Sequence, residues 1–244
     1  MIKSYSLIVN SNETNFITNY SPPIELNPRK SYELALVNLE TYYSFPNVDC
    51  SNNVFKYSTD GGVHWDVIEI PEGSYELKQI NDELFRIMKS RDYYDKVNNK
   101  GYVSIGGNFA TLRCIIQIYD PKLQIDFTAK NSLNSLLGFD NVILTDSYNE
   151  GSSTVNILSL NSILVECSII EGSYLDSRPE PIIYSFFPKS FPGEKICETP
   201  KNLIYLPVIV KTINNISIRL KDNNGKLLNL RGETISIRFH LREA

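Results

Sequence analysis

Two histidines, four cysteines and scattered carboxylates are the groups from which this chain of 244 residues could build a reactive centre. His64 follows the pair Gly61-Gly62, and His240 lies in an alternating run between Arg238 and Arg242. A tetrahedral zinc site needs three or four ligands, and neither histidine has the others nearby in sequence. Cys50, Cys114, Cys167 and Cys197 form no CxxC or CxxxC pair. Cys114 and Cys167 fall on the apolar side of the runs Leu112-Cys114-Ile116 and Ile163-Val165-Cys167-Ile169, which is the pattern of buried, reduced thiols. No GxSxG marks a nucleophile, and no GxxxxGK[ST] or GxGxxG marks a phosphate cradle. A Ser-His-Asp or Cys-His set drawn from distant residues stays open, since such partners need not be close in sequence. Glu72, Glu76, Asp82 and Glu83 cluster on one amphipathic segment, where solvation of a helix surface accounts for them. The expectation is therefore no catalytic residue, no metal, no cofactor and no enzyme activity.

One local pattern needs weighing against that expectation. Ser58-Thr59-Asp60-Gly61-Gly62-Val63-His64-Trp65 resembles the Asp-box, SxDxGxTW, of sialidase-like propellers, with His64 in place of the usual Thr. In that motif the Asp accepts turn amides and the Trp packs beneath. It stabilises a hairpin and takes no part in catalysis. Propellers need several blades, and the pattern occurs once, so it is read as a hairpin signal. A glycosidase reading would rest on this likeness and scattered carboxylates alone.

Composition narrows the field further. A net charge of -4 and a pI near 5.3 argue against a protein that coats nucleic acid, because such binding is driven by Lys and Arg on phosphates. No apolar stretch approaches the ~20 residues needed to span a bilayer. The leading MIKSYSLIVN has too short an apolar run for a signal peptide. A chain kept in the cytosol or nucleus follows, with the sequons at Asn12, Asn19 and Asn215 unused. Fifteen Tyr and eleven Phe suit pleated, half-buried surfaces.

The elements expected to position all this are mostly strands. Alternation predicts them around Tyr5–Val9, Phe16–Tyr20, Tyr32–Tyr43, Ile163–Ile169, Ile182–Phe187, Leu203–Val210, Ile216–Leu220 and Ile235–Leu241. In the last, Ile235, Ile237, Phe239 and Leu241 face inward, and Ser236, Arg238, His240 and Arg242 face outward. Phe55–Tyr57 and His64–Ile70 form a hairpin around Asp60-Gly61. Leu112–Ile118 and Leu123–Phe127 form a second around Asp120-Pro121. Between the hairpins, Ile70–Met88 hands a strand over to a helix, about 76–89, with Leu77, Ile80, Leu84, Ile87 and Met88 on one face. Gly73, before Tyr75, is placed in a tight turn at positive φ. Residues of about 132–137 form a short helical turn with Leu136 and Leu137, capped by Asn131 or Ser132. Gly138 ends it in the left-handed conformation, and Phe139 packs back. Both helical pieces are expected to cover an end or face of a sandwich. No linker is visible, so 1–244 is read as one mainly β domain.

The stretch at about 171–193 carries Tyr174, Tyr184, Phe186, Phe187 and Phe191 among four prolines. It is either a loop folded over the sandwich or an exposed aromatic surface for a partner.

The order of these pieces carries a resemblance. IELNPRKSYELALVNLETYYSFPNV, IPEGSYEL with its helix, TLRCIIQIYD with LQIDF, SLNSLLGFD, NLIYLPVIV and ISIRLKDNNGKLLNLRGETISIRFHL follow one another as in the minor capsid, or penton, proteins of Polinton/Maverick elements and related adintoviruses. The resemblance spans nearly the whole chain, and order and spacing carry it rather than any chemically specific motif. It implies an antiparallel jelly-roll β-sandwich and a homo-oligomer, a pentamer at capsid vertices, with a major capsid protein as partner. It also implies residence in the virion capsid after synthesis in a host cytoplasm and assembly there or in the nucleus. Two alternatives stand beside it: a lectin-like attachment module using the aromatic loop, and a jelly-roll relative of the major capsid protein.

Overall fold

Alternating apolar and polar residues become strands because successive side chains point to opposite faces of a sheet. The structure, a computed structural model, describes residues 4–157 and 160–244; the first three residues of the MIKSYSLIVN run lie outside the described residues. In chain order, β1 is Ser4–Ser11, β2 Asn15–Glu25 and β3 Tyr32–Tyr42. Next come β4 Val54–Ser58, β5 Asp66–Glu69, the helix α1 Leu77–Ser90, β6 Val103–Asn108, β7 Arg113–Ile118 and β8 Gln124–Asp126. The short helix α2 Asn134–Leu137 precedes β9 Ile143–Leu144 and β10 Tyr148–Thr154. The rest is β11 Ile163–Cys167, β12 Tyr174–Leu175, β13 Arg178–Pro179, β14 Ile182–Phe186, β15 Lys195–Glu198, β16 Leu206–Pro207, β17 Thr212–Lys221 and β18 Ile235–Glu243.

The sequence reading treats 1–244 as one domain. The chain's contacts instead divide it into two compact units, Met1–Phe45 with Leu160–Ala244, and Pro46–Ser159. The second is inserted in sequence between β3 and β11. Strands and turns alternate on both sides of each junction, so no change of composition marks the seam.

The first unit is an antiparallel sandwich. Its sheets run β1-β18-β3-β15, with β16 added to β3, and β14-β11-β17-β2. With the two-residue pieces β12, β13 and β16 set aside, the eight remaining described strands of this unit, counted along the chain, order as 1-8-3-6 and 5-4-7-2. That is the double Greek key of a jelly roll. Its core is made by the inward rows, including Leu7 and Val9, Leu34, Leu36 and Leu39, Val165 and Cys167, Ile216, Ile218 and Leu220, and Ile235, Ile237, Phe239 and Leu241. The expected strand Leu203–Val210 shrinks to Leu206–Pro207 and a single bridge from Val208 to Ile170, since Pro207 has no N–H to give a ladder.

The second unit holds the sheets β5-β4-β8-β9 and β10-β7-β6, with α1 and α2, around a core of its own. Ile80, Leu84 and Met88 of α1 are buried there, and Leu77 and Ile87 pack beside them, so the helix serves this core and not the sandwich as expected. Asn81 Oδ1 accepts the Ile105 N–H at 2.9 Å, which ties α1 to β6. At its start the Glu76 N–H donates to Gln79 Oε1 at 2.9 Å. At its end the Tyr93 and Asp92 N–H groups reach back to the Met88 and Lys89 carbonyls, with Asp92 at φ 59 where glycine is usual.

Three further expectations change. The β4–β5 hairpin forms, but β7 and β8 do not pair with each other. β7 pairs β6 and β10, while β8 pairs β4 and β9. The turn at Asp120 sends the chain from one sheet to the other, with the Leu123 N–H on the Asp120 carbonyl at 3.0 Å and Tyr93 Oη donating to Asp120 Oδ2 at 2.8 Å. Gly73 does not have a positive φ; it bridges Val48, and the Tyr75 ring covers the place of a side chain, 2.7 Å from where a Cβ would be. The α2 start has Leu133 at its cap, although Ser132 Oγ accepts the Asn134 N–H at 3.3 Å. Gly138 ends it at φ 77 with Leu136 and Leu137 buried, and the Phe139 ring lies 5.3 Å from that of Phe127.

Candidate functional site

The groups with chemical potential are placed where they hold structure. In the Asp60 turn, Oδ1 accepts the His64 N–H at 2.9 Å, the Val63 N–H at 3.0 Å and the Ser58 hydroxyl at 2.8 Å, and Oδ2 lies 2.6 Å from His64 Nδ1. These bonds, those from His64 foremost, hold the Asp60 carboxyl far below the usual carboxylate range. Trp65 Nε1 donates to the Gly62 carbonyl at 3.1 Å, and the Lys56 ammonium stands 5.0 Å from the Trp65 ring centre. The Asp60 carboxyl is engaged by its own turn, as in an Asp-box-like hairpin.

His240 belongs to the other unit. Its Nδ1 lies 2.7 Å from the Tyr205 hydroxyl, and the Arg242 guanidinium stacks 3.5 Å from the Tyr205 ring centre while Nε donates to Glu33 Oε1 at 2.5 Å. Among the described residues, no three His, Cys, Asp or Glu side chains gather as metal ligands. Cys114 and Cys167 are buried, and burial pushes each thiol up to about 12; Cys50 and Cys197 are exposed. On α1, Lys78 pairs Asp82 at 3.0 Å and Arg86 pairs Glu83 at 2.6 Å, and both carboxyls sit below their usual range, chiefly through those hydrogen bonds. Asp82, Glu83 and Arg86 line a shallow groove with Ser74, Tyr75 and Gln79.

The surface of the sandwich unit is the more informative part. The five aromatics of 171–193 separate into two sets. Phe186, on β14, is buried, and Tyr184 packs against the same core with its ring 6.0 Å from that of Phe186. Tyr184 Oη donates to Glu198 Oε1 at 2.8 Å; burial first, and this carboxylate second, push the phenol up to about 12. Tyr174, Phe187 and Phe191 are instead 71%, 50% and 70% exposed. Tyr174 sits on a hairpin, β12–β13, that sequence periodicity missed; Asp176 and Ser177 turn it with φ 47 and 67. The Phe191 carbonyl and N–H both bond Glu194, which fixes the loop that carries this ring.

The second unit has an exposed aromatic that sequence reading also missed. Phe109 is 92% exposed at the tip of the β6–β7 hairpin, with Leu112 at 64% beside it. Asn108 Oδ1 accepts the Ala110 N–H at 3.0 Å, and Thr111 donates to Glu150 at 2.8 Å, so the tip is held in one form. The signal was Gly106-Gly107-Asn108, a turn-forming run next to a bulky apolar residue.

No family model matches the sequence, and no curated protein matches it. Among solved structures, the D2-D3 domains of the flagellar cap protein FliD from Escherichia coli align over 89% of this chain and 100% of that one at 12% identity, but a TM-score of 0.22 is too low to bear on the fold. The chain is similar to the mavirus penton protein, with a TM-score of 0.50 over 99% of this chain and 100% of that one at 10% identity. At that identity the likeness is one of fold, and it agrees with the strand order: a mainly β chain of antiparallel sheets that contains a jelly-roll sandwich.

Proposed function

We propose that the chain is a structural capsid protein, a penton-type subunit that self-associates as a pentamer at icosahedral vertices. The observation that carries this reading is the fold shared, end to end on both chains, with a mavirus penton protein. In this reading, kinship with Polinton/Maverick elements explains the order of segments along the chain. Residues 1–244 act together as one jelly-roll capsid protein, with 46–159 as its elaboration. Tyr174, Phe187 and Phe191 supply subunit or partner contacts, while Tyr184 and Phe186 pack with the core. Exposed aromatic rings suit that role, since aromatics are enriched at interfaces. A major capsid protein is the second partner, the virion capsid is the location, and no turnover or cofactor is involved.

Solution mass tests the proposal. Light scattering and negative-stain imaging across protein concentration and salt should find five-fold rings. A strict monomer under all conditions, which no co-expressed major capsid protein recruits, overturns it.

A further inference from the structure

Edge strands of a sheet present unpaired N–H and C=O groups, and proteins usually protect them. Three of the four sandwich edges carry such protection. β15 has four residues and carries Lys195 and Glu198. β14 has five, and its pairing with β11 shifts register between Val165 and Glu166. β2 contains Pro22 and Pro23, ends on Glu25, and shifts register against β17.

β1 has none of these devices. It ends its sheet, runs eight residues as SYSLIVNS, and contains no charge and no proline. Its register on β18 is unbroken from Ser4↔Arg242 to Ser11↔Ile235. In an antiparallel pair, every second residue turns its backbone groups away from the partner. β1 therefore offers a straight ladder that β18 leaves unused. Tyr5, Leu7 and Val9 point to the core, with Tyr5 only partly covered; Ser4, Ser6, Ile8 and Asn10 point outward, and Ile8 is 53% exposed.

The outward row of β18 beside this edge carries two Arg and one His. Arg242, His240 and Arg238 stand opposite Ser4, Ser6 and Ile8. Arg242 is held by Glu33 and Tyr205, and His240 by Tyr205. Arg238 is exposed, and the nearby Glu40 is already held by Lys195 at 2.5 Å. A strand added outside β1 would run about 10 Å from β18, at two strand spacings of about 4.8 Å. A carboxylate side chain on it and the Arg238 side chain together span that gap.

Length decides the kind of occupant. Eight residues extend about 27 Å at 3.4 Å per residue. Standing contacts between folded bodies bury upwards of about 1,000 Å², more than one strand edge supplies. An extended peptide needs less, because its affinity comes from main-chain hydrogen bonds and its selectivity from alternate side chains. We propose that the free edge of β1 takes up an extended peptide segment of another protein, apolar at alternate positions and acidic at the outward position nearest Arg238.

The test uses the full chain and a fluorescein-labelled octapeptide, TVTVEVTV, followed by fluorescence anisotropy. Saturable binding is expected. Arg238→Glu, an exposed position that leaves the core intact, should weaken it about fivefold, the scale of one exposed ion pair, and a Lys in place of the peptide's Glu should do the same. Two further peptides, N-methylated on one or the other alternate set of amides, separate backbone pairing from general stickiness: one set should abolish binding and the other leave it. Equal effects of both sets, or no saturable binding, overturns the proposal. So does a homodimer through this edge, read as a concentration-dependent mass that Ile8→Lys abolishes.

Discussion

Gly138 and Gly151 lie where the end of α2 meets β10, and neither position has room for a side chain. A Cβ on Gly151 would meet the Gly138 carbonyl oxygen at 2.8 Å, and a Cβ on Gly138 would meet the Ser153 carbonyl oxygen at 2.4 Å. The contact seats the end of α2 on β10. Gly151→Ala should cost about 1–3 kcal/mol by overpacking. Gly138→Ala should cost more, since its φ of 77 adds the strain of a left-handed L-residue, about 1–2 kcal/mol. Urea unfolding followed by the fluorescence of Trp65, the chain's single tryptophan, reads the unit in question.

Leu84 is 1% exposed, in the row that α1 turns into its core. Leu84→Asp would bury a carboxylate without a partner. Loss of more than about 4 kcal/mol is expected, beyond the usual range of point changes, and with it the Trp65 fluorescence of the folded state. Retention of a sharp urea transition near the parent midpoint would contradict the packing described.

The four thiols should divide evenly. In the folded chain DTNB should titrate Cys50 and Cys197 promptly, and the exposed and buried classes of two each should merge only in denaturant. Burial blocks access to Cys114 and Cys167 and raises their pKa to about 12, so little thiolate exists near neutrality.

Tyr184 predicts an alkaline effect. Its folded pKa, about 12, lies above the value near 10 of a free phenol. The folded state therefore holds the proton more tightly. The contribution is complete below about pH 10 and is lost as the pH rises from there through 12. Tyr20, Tyr43 and Tyr93 are raised as well, so absorbance at 295 nm should show a late-titrating class from which Tyr184→Phe removes one tyrosine, and the variant's urea midpoint should fall less steeply across the same window.

The aromatic loop can be dissected because its rings differ in burial. Phe186→Ala should destabilise by about 3–5 kcal/mol. Phe187→Ser and Phe191→Ser should leave the unfolding midpoint within about 0.5 kcal/mol of the parent, and, if these rings make subunit contacts, should lower the assembled mass. Light scattering beside urea unfolding separates the two effects.

Much of the fold could be read from periodicity. The inward row of β18 and the face of α1 were visible because each repeats one spacing over several turns or pleats. The β4–β5 hairpin was visible because its turn bonds are local. What stayed hidden depends on partners far along the chain. Alternation cannot say that β7 and β8, a few residues apart, join different sheets, nor that β6, with its glycines, and β10, largely polar, are strands at all. The two-unit division was hidden because both halves have the same texture. The exposed Tyr174, Phe187 and Phe191 and the buried Tyr184 and Phe186 look alike in sequence, and Phe109 stood in a turn that no apolar pattern marks.

β18 lies between β1 and β3, so among the described strands of the sandwich the last in sequence completes the first. Until it arrives, β1 has no partner and β3 lacks one of its neighbours, whereas the Pro46–Ser159 unit is already complete in sequence and free to fold. Folding of the jelly roll must then be slow and late, because its key contacts join the two ends of the sequence. A nascent chain stopped short of Ile235 would carry a finished insert and an open sandwich with bare edges.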